Sequence, residues 1–161
     1  LAPPEFAPPG GRPVTAETPA VTAGTLSPLT LTPPVVDADY VRAHLKDART
    51  VIIDARDPEF YRGERTGGSA TAPHKTGHIE GARSVPYSSV VTADNRWKSD
   101  AELRALFTEA GVKPGDTVVA YCHIGQQATA VVFAARVLGL DVRLYDGSFE
   151  DWSRRDGPVI K

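Results

Sequence analysis

An α/β fold, with a parallel sheet covered by helices on both faces, is what this sequence predicts. Three observations carry that expectation. Short apolar runs recur at 51–53, 117–121 and 142–145. Segments with helical periodicity separate them, most clearly at 99–110 and 127–138. Each run also ends in a polar or glycine-bearing loop. Strands alternating with helices at this spacing form parallel sheets buried on both sides.

The elements follow in order. Nine of the 14 prolines fall in residues 1–34, which are otherwise rich in Thr and Ala. Residues 1–35 read as an extended, Pro-rich connector without a core of its own, or as a disordered tail. From residue 36 to 161 the pattern is globular. Asp37 is placed to cap a short helix whose apolar positions are Val41, His44 and Leu45. The run 51–53 is a buried strand ending at Asp54. Asp57-Pro58-Glu59 opens a helix with Pro at its first position. Residues 63–77 form a long polar loop, a length usual only for functional or mobile segments. Ser84-Val85-Pro86 reads as an edge or terminal strand, because Pro cannot donate to a central ladder. Ser99-Asp100-Ala101-Glu102 is a capping box, and it opens a helix with Leu103, Leu106 and Phe107 on one face. Gly111 ends that helix. Lys113-Pro114-Gly115-Asp116 is a turn into the strand 117–121. Residues 127–138 are apolar nearly all round, which predicts a helix buried on every side, closed by Gly139. Val142, Leu144 and Tyr145 make a further strand.

Composition narrows the function. The 161 residues suffice for one domain with a core. A net charge of -2 gives no basic surface for nucleic acid. No apolar run is long enough to span a membrane. The single cysteine excludes an internal disulfide and a Cys-rich metal site. It leaves cytoplasmic and periplasmic locations equally open. The chain has no Met, which suggests a processed product or a piece of a longer protein.

That cysteine, Cys122, stands where the run 118–121 ends and a loop begins, directly ahead of a helical pattern. A strand-Cys-loop-helix arrangement aims backbone N–H groups and the positive end of a helix at one sulfur, and so favours the nucleophilic thiolate. A lone Cys beside a strand is otherwise a small buried hydrophobe. Its position at the carboxyl end of a strand, where open α/β sheets bind ligands, raises the nucleophile reading to equal standing.

Four segments then resemble one family in order and spacing. Cys122-His123-Ile124-Gly125-Gln126-Gln127 resembles the six-residue active-site loop of rhodaneses, the thiosulfate and 3-mercaptopyruvate sulfurtransferases. Asp54-Ala55-Arg56 resembles the family's Asp-x-Arg. Gly77-His78-Ile79-Glu80-Gly81-Ala82 resembles its Gly-His-Ile-x-Gly-Ala. Tyr145-Asp146-Gly147-Ser148-Phe149-Glu150-Asp151-Trp152 is similar to its Tyr-Asp-Gly-Ser-Trp-x-x-Trp, typical of the catalytic C-terminal half of tandem two-domain enzymes. Residues 10–15 look like the tail of a preceding rhodanese domain, which would make 1–35 the interdomain connector and 36–161 the catalytic domain.

The resemblance implies a rhodanese-like, five-stranded parallel sheet with helices on both faces. It implies a thiosulfate sulfurtransferase that moves a sulfane sulfur through a Cys122 persulfide to cyanide or a thiol. The partners implied are a small sulfur donor, a thiophilic acceptor and an N-terminal rhodanese domain of the same protein. No metal and no cofactor is needed. Backbone N–H groups from His123 to Ala128 would cradle the terminal sulfur anion, and Gly125 would supply a shape that a Cβ hinders. His123 reads either as a positive charge beside the sulfur or as a solvent-facing residue. Gln126 and Gln127 offer uncharged hydrogen bonds. Asp54, Arg56 and His78 are read as structural support, and Trp152 as packing of the chain end.

The departures bear on the donor. His123-Ile124-Gly125 does not match the Cys-Gly-[Ser/Thr]-Gly of 3-mercaptopyruvate enzymes. Phe60 stands where animal members carry Arg, and Arg62, Arg65 or Lys75 would have to replace it. Arg62 is taken as the candidate substrate-binding cation. The alternatives to a thiosulfate enzyme are a 3-mercaptopyruvate sulfurtransferase and a persulfide carrier or docking module without turnover. A related phosphatase would need Arg at Ala128.

Overall fold

The computed structural model describes residues 17, 18, 20, 24 and 34–161. The chain divides into two units, 1–31 and 32–161. In the first unit the described residues Glu17, Thr18, Ala20 and Gly24 are exposed. The expected connector ends earlier than residue 35, because Pro34 O accepts the Leu144 N–H and Val35 already pairs with Leu144 in the sheet; its other residues, the segment 10–15 among them, lie outside the described residues.

The second unit is built on a five-stranded, all-parallel sheet. Its strands are β1 (Val35–Val36), β2 (Thr50–Asp54), β6 (Arg83–Ser84), β7 (Thr117–Tyr121) and β8 (Asp141–Tyr145). They lie in the order β1-β8-β7-β2-β6. Two small antiparallel pairs flank it: β3 (Gly68–Ser69) with β4 (Ala72–Pro73), and β5 (His78–Ile79) with β9 (Val159–Ile160). The helices are α1 (Ala38–His44), α2 (Pro58–Tyr61), α3 (Asp100–Glu109), α4 (Ala128–Val137) and α5 (Ser148–Arg154).

Period-two alternation in the central strands divides the core into two layers. Ile53, Val118 and Ala120 face α3 and α4, where they pack with Leu103, Phe107, Val131 and Ala135. Ile52, Val119 and Tyr121 face the other way, onto Ala38 and Val41 of α1 and Phe149 and Trp152 of α5. The helix signals act where the sequence puts them. The Asp37 carboxylate accepts the Tyr40 N–H. Ser99 and Glu102 close a reciprocal capping box, and Pro58 opens α2.

Two expectations are revised. The edge strand is 83–84 and stops short of Pro86, although pairing with the chain beyond β2 continues around it through Val85 N–H to Asp54 O and Tyr87 N–H to Ala55 O. Proline supplies no N–H for that ladder. Helix α4 is buried on one face only: Phe133 and Val137 are 49% and 52% exposed. Trp97 packs against Phe133 with ring centroids 4.6 Å apart, so the outer face is sheltered by one side chain and not by a further layer.

One polar network ties the sheet to its flanking loops. Asp54 and Arg56 form a fully buried ion pair, Nη2 to Oδ2 at 2.6 Å. The same guanidinium donates to the Gly77 carbonyl at 2.7 Å. The Tyr121 hydroxyl donates to Asp54 at 2.7 Å and accepts the Ile79 N–H at 3.1 Å. Burial, together with the Asp54 charge, pushes the Tyr121 phenol well above its ordinary value, which keeps it a donor. For Arg56, burial opposes its charge, but the hydrogen bonds and charge of Asp54 outweigh it and hold the guanidinium above its usual value.

Removing one partner should therefore strand the other. Arg56→Met is expected to lower unfolding stability by about 3–5 kcal/mol, the cost of an uncompensated buried charge. Tyr121→Phe, which leaves the buried Ile79 N–H unmet and removes one donor to Asp54, should cost about 1–3 kcal/mol. Urea titration checks both through the shift of the midpoint at constant slope.

Candidate functional site

Strand β7 ends at Tyr121, and Cys122 follows at the carboxyl edge of the sheet, fully buried. The loop it opens runs to Gln127, where α4 begins. Gln127 makes no side-chain cap, and its backbone is already helical. Among the described residues, the N–H groups of His123, Ile124, Gly125, Gln126, Gln127 and Ala128 have no acceptor. Consecutive N–H groups on a curved loop at a helix start form an anion-binding concavity. Gly125 makes that curve possible. Its φ is +88°, and a Cβ there would stand 2.6 Å from Asp146 Oδ1 and 2.9 Å from Asp146 O.

The base of the loop is fastened to α5. The Cys122 N–H donates to Ser148 Oγ at 3.1 Å, and that hydroxyl donates to the Tyr145 carbonyl at 2.9 Å. Cys122 O and His123 O accept the N–H groups of Phe149 and Glu150. Ser148 is fully buried with φ +54°, an uncommon conformation for a residue with a side chain. The reading of the sequence gave Ser148 no role. The only signal for it was its place in the Tyr145–Trp152 segment, since its strained backbone is set by tertiary contacts.

A cavity of about 200 Å³ opens over the cysteine, lined by Cys122, His123, Ile124, Gln126 and Gln127. Gln127 Oε1 is buried there without a hydrogen-bond partner. His123 and Ile124 also border a neighbouring cavity of about 460 Å³, together with Phe60, Thr66, Gly67, Gly68, Ser69, His74 and Glu150. The long polar loop is thus partly a β-hairpin, β3–β4, that walls this second cavity.

His123 does not bring a positive charge. Burial, followed by the Arg56 and His74 charges, lowers it to about 4. Its ring sits edge-on to Phe60, centroids 4.5 Å apart. The expected cations are also elsewhere. Arg62 is paired with Glu64 at 2.6 Å, is half exposed and lines neither cavity. Arg65 pairs with Glu59 and lies 4.7 Å over the Phe60 ring. Lys75 Nζ donates to the Arg155 and Gly157 carbonyls. Each finds an acceptor near in sequence or on the α5 flank, so none of the three borders the cysteine cavity.

The remaining residues brace the loops. His78 Nδ1 meets the Tyr61 carbonyl at 2.8 Å, and its ring stacks on Tyr61 at 3.7 Å. Trp152 is fully buried and donates to the Pro158 carbonyl. Ala128, fully buried, starts α4. Among the described residues no cluster of three or more His, Cys, Asp or Glu is arranged to hold a metal ion.

Comparison with known proteins agrees with this architecture. The model of the rhodanese-like domain matches residues 37–155. The chain is 32% identical to the sulfur carrier protein TtuD of Thermus thermophilus over 94% of its own length and 56% of the relative. It is 34% identical to the thiosulfate sulfurtransferase of Rattus norvegicus over 94% of its length and 51% of that enzyme. The chain thus spans about half the length of these relatives. Among solved structures, Tum1 of Saccharomyces cerevisiae superposes with a TM-score of 0.66 at 23% identity, over 77% of this chain and 44% of that one. The anaerobic ergothioneine biosynthesis enzyme of Chlorobium limicola gives a TM-score of 0.70 at 22% identity, over 78% and 31%. At that identity these two show the shared fold alone.

Two outcomes follow from the geometry. His123 should titrate by NMR with a midpoint near 4 and stay neutral from pH 5 to 8. A histidine whose folded value lies below its unfolded value of about 6.5 contributes stability that is present above that value. The contribution is lost as pH falls through the window down to about 4, so stability should drop across it and His123→Phe should flatten the drop. Gly125→Ala should cost about 1–3 kcal/mol, from a strained positive φ and the collision with Asp146, measured by urea unfolding.

Proposed function

The chain belongs to the rhodanese-like family, and from that premise we propose that it is a sulfurtransferase that carries sulfane sulfur on Cys122 as a persulfide. One observation supports this above the others: the six successive unpaired N–H groups of the loop that starts at Cys122. Such a cradle stabilises a compact anion without a cationic side chain, and a persulfide terminus is an anion of that kind.

In the proposed reaction the Cys122 thiolate attacks the outer sulfur of thiosulfate. The S–S bond of the donor breaks and sulfite leaves with its electron pair. Cys122 is left as a persulfide, held by the N–H groups from His123 to Ala128 and by the uncharged Gln126 and Gln127. The acceptor, cyanide or a thiolate, then attacks the outer sulfur. Cys122 departs as thiolate and the acceptor leaves as thiocyanate or as its own persulfide. The scheme uses no metal and no organic cofactor. Asp54, Arg56 and His78 act through the loops they brace, and Arg62 takes no part.

Thiosulfate is preferred over 3-mercaptopyruvate as donor because His123-Ile124-Gly125 lacks the Cys-Gly-[Ser/Thr]-Gly pattern, and because a relative is named for thiosulfate. The proposal includes a preceding rhodanese-like domain joined through residues 1–35. A second reading, a persulfide carrier that turns over slowly, is favoured by the complete burial of Cys122 and by the name of another relative.

Intact mass after incubation with thiosulfate, and separately with 3-mercaptopyruvate, tests the reading. A gain of one sulfur at Cys122, faster from thiosulfate and lost to cyanide, is expected, and Cys122→Ser should gain none. Faster loading from 3-mercaptopyruvate would replace the donor. Loading without discharge to cyanide or any small thiol would favour the carrier. No loading of folded protein would sink the proposal.

A further inference from the structure

We propose that the cavity beside the cysteine pocket receives the sulfur acceptor, and that the acceptor it takes is a small thiol bearing a protonated amine. This rests on the persulfide reading above and names the second substrate of the same site.

Four features of the cavity lead there. It is separate from the cysteine pocket yet continuous with it in lining, since His123 and Ile124 border both. A molecule seated in the larger space is therefore adjacent to the pocket that would hold the persulfide. Its volume of about 460 Å³ suits an organic thiol, whereas about 200 Å³ over the cysteine suits a few heavy atoms.

The second feature is His74. It is 8% exposed, and its Nδ1 is buried with no hydrogen-bond partner. Orphaned buried nitrogens of this kind are uncommon, and the His74 ring that carries this one is part of the cavity wall.

The third is convergence. His74 Nδ1 and His123 Nδ1 stand 2.9 Å and 2.7 Å from the point that a Cβ on Gly67 would occupy. Two ring nitrogens thus meet over a residue with no side chain, and any substituent there would displace them. Burial lowers both imidazoles below their ordinary value, so at neutral pH each ring offers a lone pair.

The fourth is charge. Among the described residues the lining holds one carboxylate, Glu150, and no Lys or Arg. Glu150 is bonded to Arg154 through one oxygen, which leaves the other free to accept. With the Phe60 ring already covered by Arg65 and one Glu150 oxygen held by Arg154, the acceptors left to an N–H-rich cation are a neutral imidazole and the second Glu150 oxygen.

The chemistry balances with these groups alone. The acceptor thiolate attacks the outer sulfur of the Cys122 persulfide and a new S–S bond forms. The bond to Cys122 breaks, Cys122 leaves as thiolate, and the acceptor departs as its persulfide. No external oxidant or reductant is consumed.

The test uses the whole chain loaded with thiosulfate, with loading scored first by intact mass. Discharge is then timed with cysteamine, 2-mercaptoethanol and 3-mercaptopropionate, compared per thiolate. Cysteamine should be faster than 3-mercaptopropionate by about tenfold or more, with 2-mercaptoethanol between, as expected of one charge-assisted hydrogen bond. In His74→Phe and in Glu150→Gln the preference should shrink to within about threefold. A loaded protein that discharges all three equally, or that prefers 3-mercaptopropionate, overturns this inference and leaves the persulfide reading standing. Variants that keep the full preference overturn it too. Failure to load overturns both.

Discussion

Asp54 and Arg56 lie where the central sheet, the chain through Gly77 and Ile79, and helix α5 come together. Arg56 binds Asp54 and the Gly77 carbonyl, and its guanidinium lies 3.9 Å over the Phe149 ring. Tyr121 bridges Asp54 to the Ile79 N–H. Phe149 in turn gives its N–H to the carbonyl of Cys122. A continuous set of contacts therefore runs from the buried pair to the cysteine loop. A buried ion pair adds little net stability, because desolvation offsets the attraction. Its contribution here is geometric, since each partner must be satisfied and only one arrangement of three chain segments satisfies all of them. The Arg56 charge also helps keep His123 neutral.

The site that results is rich in backbone donors and poor in cations. Arg62, Arg65 and Lys75 are occupied by Glu64, Glu59 and the carbonyls beyond α5. Phe60 packs edge-on against His123. Selection of an anion at such a site depends on the shape of the amide cradle and hardly at all on long-range attraction. That makes the loop intolerant of backbone change. Gly125, Asp146 and Ser148 fix its curve through close approach and a strained hydroxyl-bearing residue, and strain of that kind persists only where surroundings over-determine it.

Much of the frame was legible from local signals. The capping box at Ser99, the Asp37 cap and the Pro58 start are contacts between near neighbours in sequence, so composition reveals them. The three longer strand runs followed from their apolar pattern. The burial of α4 was overestimated because periodicity cannot say how many layers cover a helix. Phe133 and Val137 face outward, with Trp97 alongside. The short strands β1, β5 and β9 escaped notice because two residues carry no period.

By itself the sequence determined the α/β alternation and the place of Cys122 at the end of a strand. These depend on residue type and on spacing along one stretch of chain. Only the tertiary structure decided that His123 is neutral and that Ser148 fastens the loop. It alone brought His74 and Glu150 to the wall of one cavity. Those outcomes depend on burial and on partners tens of residues distant, quantities that exist only once the sheet has folded and its two faces are covered.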